Sequence, residues 1–210
     1  MHCEIGERVD GRVMISKIQF YDAGDEKAEE NLKDIVVSYG RKSEHFPLGI
    51  GDFFTNLENL EISVHGLKFL YRSCFQNLTN LTSLSILHTE IASLPRDVFY
   101  DLPNLEHLNL ANNHLVNLHD GLLWKATKLI TIDASQNRLT SISENLFKNC
   151  KKLRVIDLQD NKLFIVRINF NLFENLIRLN LANNLGTCDL TYGYEKSNIK
   201  NFADVNEKVK

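Results

Sequence analysis

Several absences narrow this 210-residue sequence before any motif is sought. Proline is almost missing, at three residues, and the ten glycines are scattered, so no Pro/Gly-rich linker or low-complexity segment divides the chain. No apolar run approaches the roughly 18 residues that span a bilayer. Positive charge is not in excess. With 24 lysines and arginines against 27 aspartates and glutamates the net charge is −3, which gives nucleic acid or anionic lipid no global field to follow. Motifs of phosphate, zinc-protease and hydrolase chemistry are also lacking, and Gly49-x-Gly51 stops short of a dinucleotide fingerprint and reads as a turn. No C-x-x-C pair suggests structural zinc, so neither metal nor cofactor is expected.

What is present is periodic. Leu102 to Leu118, LPNLEHLNLANNHLVNL, contains Leu105, Leu108, Leu110, Asn113 and Leu115 in the spacing L-x-x-L-x-L-x-x-N-x-L. Neither a 3.6-residue helix nor a strictly alternating strand accounts for it. It reads as one short strand, Leu108 and Leu110 inward and Asn109 outward, followed by a tight turn. Copies begin at Leu57, Leu81, Leu105, Leu129 and Leu153, each 24 residues after the last, with flanking copies at Leu32 and Leu176. Phe75, Phe99, Leu123, Phe147 and Phe170 keep the same register late in successive copies. Leu70, Leu94, Leu118, Ile142 and Val166 keep it midway. About seven apolar positions in phase over five copies point to stacked units that bury their leucines only against one another.

The copies resemble the leucine-rich repeat family in its 24-residue typical form, with Asp97 to Leu105, DVFYDLPNL, especially close. Such repeats occur in Toll-like receptor ectodomains and in secreted arthropod immune and adhesion proteins. The resemblance covers residues 32–187. It implies an α/β solenoid, a curved horseshoe segment with one short parallel strand per repeat on the concave face and loops or short helical turns on the convex face. Residues 1–31 are atypical and read as a hairpin-like N-terminal cap around Asp10-Gly11. About seven repeats occupy 32–187, and 188–210 form a C-terminal cap, drawing on Cys188, Leu190, Tyr192 and Tyr194, with a polar, frayed tail.

Asn113, Asn137, Asn161 and Asn184 fall where the chain turns inward after each strand. A carboxamide both donates and accepts, so an asparagine ladder there can satisfy backbone groups stranded away from water. Earlier copies have Gly40, His65 and Thr89 instead, which predicts looser or irregular turns at that end.

Between the leucines lie the residues expected on the concave face, namely Glu61, Ser85, His88, Asn109, Asn112, Asp133, Gln136, Asp157, Asp160 and Asn180. The face is polar, mildly acidic from Asp133 to Asp160, and poor in aromatics. That patch is the expected binding site for a protein ligand. Asp133 and Asp157 on adjacent strands raise glycoside hydrolysis as a distant third reading, but a shallow face does not dry one carboxylate for acid catalysis. The chain is therefore expected to be no enzyme. His88, His107 and His114 on neighbouring rungs read as surface imidazoles. Trp124, the lone tryptophan, is expected partly buried on the returning side.

Cys150 occupies a core position, and Cys74 lies far along the array from Cys188, so the four cysteines show no clear disulfide framework. Asn77 and Asn80 head N-x-T sequons that permit glycosylation. The family resemblance implies a secreted or extracellular setting for immune recognition, adhesion or signalling. The N-terminus MHCEIGERVDGRV has no apolar signal core, which leaves an intracellular scaffold or regulatory subunit as the alternative. Partner identity and oligomeric state are not legible.

Overall fold

The computed structural model describes residues 32–39, 44–166 and 168–185, together with the backbone of short strands at 2–4, 8–9, 12–13, 17–19, 187–188 and 201–203. Near the N-terminus, β1 (His2–Glu4) pairs antiparallel with β4 (Lys17–Gln19), and β2 (Arg8–Val9) with β3 (Arg12–Val13). The Arg8↔Val13 and Val9↔Arg12 register leaves a two-residue connection between β2 and β3. β1 lies against β5 (Asp34–Tyr39), where the repeats begin.

From there one strand is laid down per repeat. β6 (Asn59–Val64), β7 (Ser83–Ile86), β8 (His107–Asn109), β9 (Thr131–Asp133), β11 (Val155–Asp157) and β13 (Arg178–Asn180) follow in chain order. With β5 and with β15 (Asn201–Ala203) they form one eight-stranded parallel sheet. The tail expected to be frayed thus supplies the last strand of that sheet. A second, three-stranded parallel sheet joins β10 (Ser141–Ile142), β12 (Ile165–Val166) and β14 (Thr187–Cys188) after the turns. The segments that return from turn to strand carry little helix, with α1 (Ile50–Phe53) and 3-10 turns at Arg72–Cys74 and Phe170–Leu172. The protein is a parallel-strand solenoid of about six turns. Side chains of the proposed C-terminal cap, Cys188 to Tyr194, lie outside the described residues.

The leucines explain why these short strands form. Leu84, Leu108, Ile132, Ile156 and Leu179 are buried, as are Ile86, Leu110, Ala134, Leu158 and Leu181 two residues later. The residue between each pair faces out, as the period-2 geometry of a strand requires. Phe46, Phe75 and Phe99 stack through the core at centroid spacings of 6.3 and 5.9 Å. Leu123 interrupts that column before Phe147 meets Phe173 at 6.1 Å. Three lines of backbone hydrogen bonds then tie rung to rung. The Glu58, Glu106 and Arg154 carbonyls each accept two consecutive N–H groups of the following rung. Leu110, Ala134 and Leu158 donate to Asp133, Asp157 and Asn180. After the turn, Arg138 and Lys162 donate to Leu115 and Leu139.

Where the turn asparagine is missing, the strands are longer; the turn at Gly40 lies outside the described residues. β5 and β6 each run six residues, paired in register from Asp34↔Asn59 to Tyr39↔Val64, whereas β8, β9, β11 and β13 stop after three. Without a side chain to satisfy an early inward turn, the ladder itself continues to satisfy the backbone. Val64 is fully buried, and the chain turns only at Gly66, whose φ of 87° suits glycine.

Candidate functional site

Each outward strand position aligns with its neighbours, through Glu61↔Ser85, Ser85↔Asn109, Asn109↔Asp133, Asp133↔Asp157 and Asp157↔Asn180. The sheet therefore brings the expected concave residues into one file at the strand spacing of about 4.8 Å. It also gives four of them a second task. The Oδ1 atoms of Asn109, Asp133, Asp157 and Asn180 accept the N–H two residues ahead, from Ala111 (3.0 Å), Ser135 (2.9 Å), Gln159 (3.1 Å) and Ala182 (3.2 Å). Such Asx turns bend the backbone out of the strand toward the asparagine position.

The next file is constrained differently. His88, Asn112, Gln136, Asp160 and Asn183 all have positive φ, between 52° and 57°. The left-handed region is costly for most L-residues and mildest for Asn and Asp. These positions are not freely variable, since backbone handedness restricts what can stand there.

Behind them, Asn137 is 7 % exposed and donates to the Leu110, Ser135 and Ala134 carbonyls at 2.9, 3.0 and 3.2 Å while accepting from the Leu115 amide at 3.0 Å. Asn161 and Asn184 repeat the pattern, accepting from Leu139 and Leu163. Each asparagine thus contacts the backbone of its own turn and of the preceding rung. Asn113 accepts from the amide and hydroxyl of Thr89, and Thr89 in turn accepts the Ile91 N–H.

The C-terminal end of the face is internally engaged. Asn180 is only 3 % exposed, and its Nδ2 donates to Asp157 Oδ2 (2.9 Å) and Gln159 Oε1 (3.0 Å). Arg178 approaches Asp157 at 3.7 Å, and Asn183 donates to Asp160 at 2.8 Å. Asp157, paired in register with Asp133, thus has its charge answered inside the fold by Asn180 and Arg178. Asn180 is accordingly the least accessible of the expected binding residues. Gln136 and His88 are exposed and Glu61 and Ser85 half-buried, and these are the accessible, chemically varied members of the face. Among the described residues, no large apolar side chain is exposed along the outward strand positions except Val36.

Apolar exposure lies elsewhere. Trp124 is 59 % exposed rather than partly buried, because its neighbour Leu123 takes the core position. Tyr100, at the same repeat position one rung earlier, is held between Arg72 and Lys125, at 4.4 and 5.1 Å from the ring centroid. Arg72 also makes two 2.8 Å hydrogen bonds to Asp101, whose carboxyl they hold below the usual carboxylate range. The periodic leucine pattern concealed this cluster, since it uses variable positions 28 and 29 residues apart. A shallow trough of about 520 Å³ runs along the adjoining edge, lined by Glu58, Asn80, Asn104, Glu106 and Lys128. Both sequon asparagines are exposed near it, Asn77 donating to Asp52 (2.7 Å) and Asn80 to the Thr55 carbonyl (3.0 Å).

Cys74 and Cys150 are buried free thiols, and burial pushes them up to about 11 and about 12 respectively. No group of three or more His, Cys, Asp or Glu side chains is placed to hold a metal among the described residues. No helix among them is long and apolar enough to cross a membrane.

Comparison with known proteins agrees with this architecture. A family model described as BspA type Leucine rich repeat region matches residues 53–180 in six copies. No curated protein matches. A chain in the structure of the Toll–Spatzle complex, described as a molecular hub in Drosophila development and innate immunity (glycosylated form), is similar with a TM-score of 0.71 and 26% identity. The match covers 84% of this chain and 24% of that one. A chain of the TLR13–ssRNA13 complex superposes with a TM-score of 0.56 at 18% identity, over 80% of this chain and 28% of that one, a likeness of fold. This chain spans about a quarter of the length of either structure.

Proposed function

Because the chain belongs to the BspA-type leucine-rich repeat family, we propose that it is a non-catalytic interaction module that binds a protein ligand through its concave face in an extracellular setting. One observation carries the reading. The outward file Glu61, Ser85, Asn109, Asp133 and Asp157 is an open, polar, strand-borne surface whose residue types change from rung to rung. Such a surface suits a partner with matching polar chemistry. It offers no enclosed, water-excluding site in which one carboxylate would be held protonated beside another, as glycoside hydrolysis requires. Support for the extracellular setting comes from the likeness to the Toll–Spatzle complex, described as a hub of innate immunity in a glycosylated form. The TLR13 likeness, at 18% identity, supports the fold and no choice of ligand.

The test uses the intact chain as bait in the organism's extracellular fluid, followed by affinity measurement with the recovered partner. Glu61→Lys, Ser85→Lys and Gln136→Lys change accessible side chains that are not among the Asx acceptors. Combined, they are expected to weaken binding by at least about tenfold with an unchanged circular dichroism spectrum. Unchanged affinity in the triple variant overturns the concave-face assignment. A partner recovered only from cytosol overturns the extracellular setting.

A further inference from the structure

The charge on this molecule is unevenly placed. Lys125, Lys128, Lys148, Lys151, Lys152 and Arg154 are all exposed and cluster where the returning segments of two successive repeats lead back into their strands. They carry +6 on a chain of net charge −3, so everything else sums to −9. None of the six makes a salt bridge among the described residues, whereas Lys33, Lys68, Arg72 and Arg178 all do. Lys128 donates to Asn104 at 2.6 Å and shares a trough with Glu58 and Glu106, and Lys125 shares another with Asp101, so the acidic neighbours lie on the N-terminal side of the cluster. Like charges so concentrated repel one another, and no ion pair among the described residues offsets that repulsion.

A second feature lies in the same place. Trp124 stands 59 % exposed next to Lys125, and the Asn149 side chain donates to the Trp124 carbonyl at 3.0 Å, tying its backbone to the following rung. An exposed indole held on a rigid rung within a field of ammonium groups is a surface for a polyanion that also has an apolar face.

We propose that the edge formed by Trp124, Lys125, Lys148, Lys151 and Lys152 binds a sulfated polysaccharide, its sulfates meeting the ammonium groups and one pyranose ring stacking by its C–H face on the indole. Lysine predominates over arginine here, five to one. Ammonium groups are point charges suited to many orientations of a tetrahedral sulfate, while planar bidentate recognition of carboxylate or phosphate favours arginine. Single-stranded nucleic acid calls for several stacking platforms in succession. At this edge, among the described residues, Trp124 alone is free to serve, because the Tyr100 ring is already engaged by Arg72 and Lys125. The site is on a different surface from the concave file and its test is independent of any protein ligand.

The probe is a heparin-derived dodecasaccharide, titrated calorimetrically into the intact chain at low and at physiological salt. Lys125→Ala, Lys148→Ala, Lys151→Ala and Lys152→Ala combined are expected to weaken binding by at least about tenfold and to flatten its salt dependence. Trp124→Ala is expected to weaken it several-fold while keeping the salt dependence, which separates stacking from charge. Arg138→Ala with Lys162→Ala, exposed cations away from this edge, are expected to change nothing. The proposal is overturned by absence of binding at low salt, by an equal loss in the Arg138/Lys162 variant, or by equal affinity for a desulfated dodecasaccharide. Binding of a single-stranded RNA of equal charge as tight as that of the saccharide also overturns it, in favour of an unspecific polyanion surface.

Discussion

Replacing Asn137 by alanine removes four hydrogen bonds, but their loss is not equally costly. The Leu110 carbonyl keeps its bond from Asn113, the Ala134 carbonyl keeps Asn161, and the Ser135 carbonyl keeps the Asn112 amide. Only the Leu115 N–H, which donates to Asn137 Oδ1 at 3.0 Å, is left with nothing to bond to at a buried residue. One orphaned buried donor costs about 1–3 kcal/mol, and the loss of three shared acceptor bonds adds about 1 kcal/mol more. The expected destabilisation is therefore about 2–4 kcal/mol. For a chain of this size that is a fall in melting temperature of about 5–15 °C. Thermal and urea unfolding followed by circular dichroism measure it, and hydrogen exchange should show the Leu115 amide losing protection while the Leu60 amide keeps it. A shift of under 1 °C, or an unchanged Leu115 exchange rate, refutes the reasoning.

A Cβ on Gly51 would lie 2.0 Å from the Gln76 carbonyl oxygen, a backbone atom that cannot step aside. Gly51→Ala is accordingly expected to destabilise the N-terminal rungs by about 3 kcal/mol or more, read by urea unfolding. At pH 8 only about one Cys74 thiol in a thousand is ionised at a pKa of about 11, so Cys74 and Cys150 should resist alkylation until the chain unfolds, as peptide mass spectrometry will show. The same burial has a pH signature. The folded chain keeps protons that unfolded thiols release above 9.0, so this stabilisation is complete below pH 9 and is lost between about pH 9 and pH 12.

The leucine spacing carried the fold almost whole, because burial on one side of a three-residue strand fixes both register and stacking. Leu108 and Leu110 are inward and Asn109 outward, as their alternation implies. What the spacing did not carry is anything set by backbone handedness or by a contact between rungs. Gln136 and His88 do not announce a left-handed conformation by type, and the Asx acceptors look from sequence like free surface polar groups. Trp124 faces out for a reason the spacing does not contain: adjacency to a core position in a turn says nothing about which way the next side chain points. Likewise the long strands β5 and β6 arise from what replaces the missing asparagine, namely continued pairing, and only the backbone geometry reveals that.

The asparagine bonds also give the array a direction. In every full rung the Oδ1 atom serves an amide of the rung before it, so Leu115, Leu139 and Leu163 are each completed by the next repeat to be synthesised. A nascent chain therefore always ends in an unfinished rung, made whole only by its successor. Trimming from the two ends is correspondingly unequal. Removing a repeat from the C-terminal side strands a buried donor in the repeat that remains. Removing a repeat from the N-terminal side strands no amide of this line, because each is served by the rung that follows it or, for Ile91, by Thr89 of its own rung.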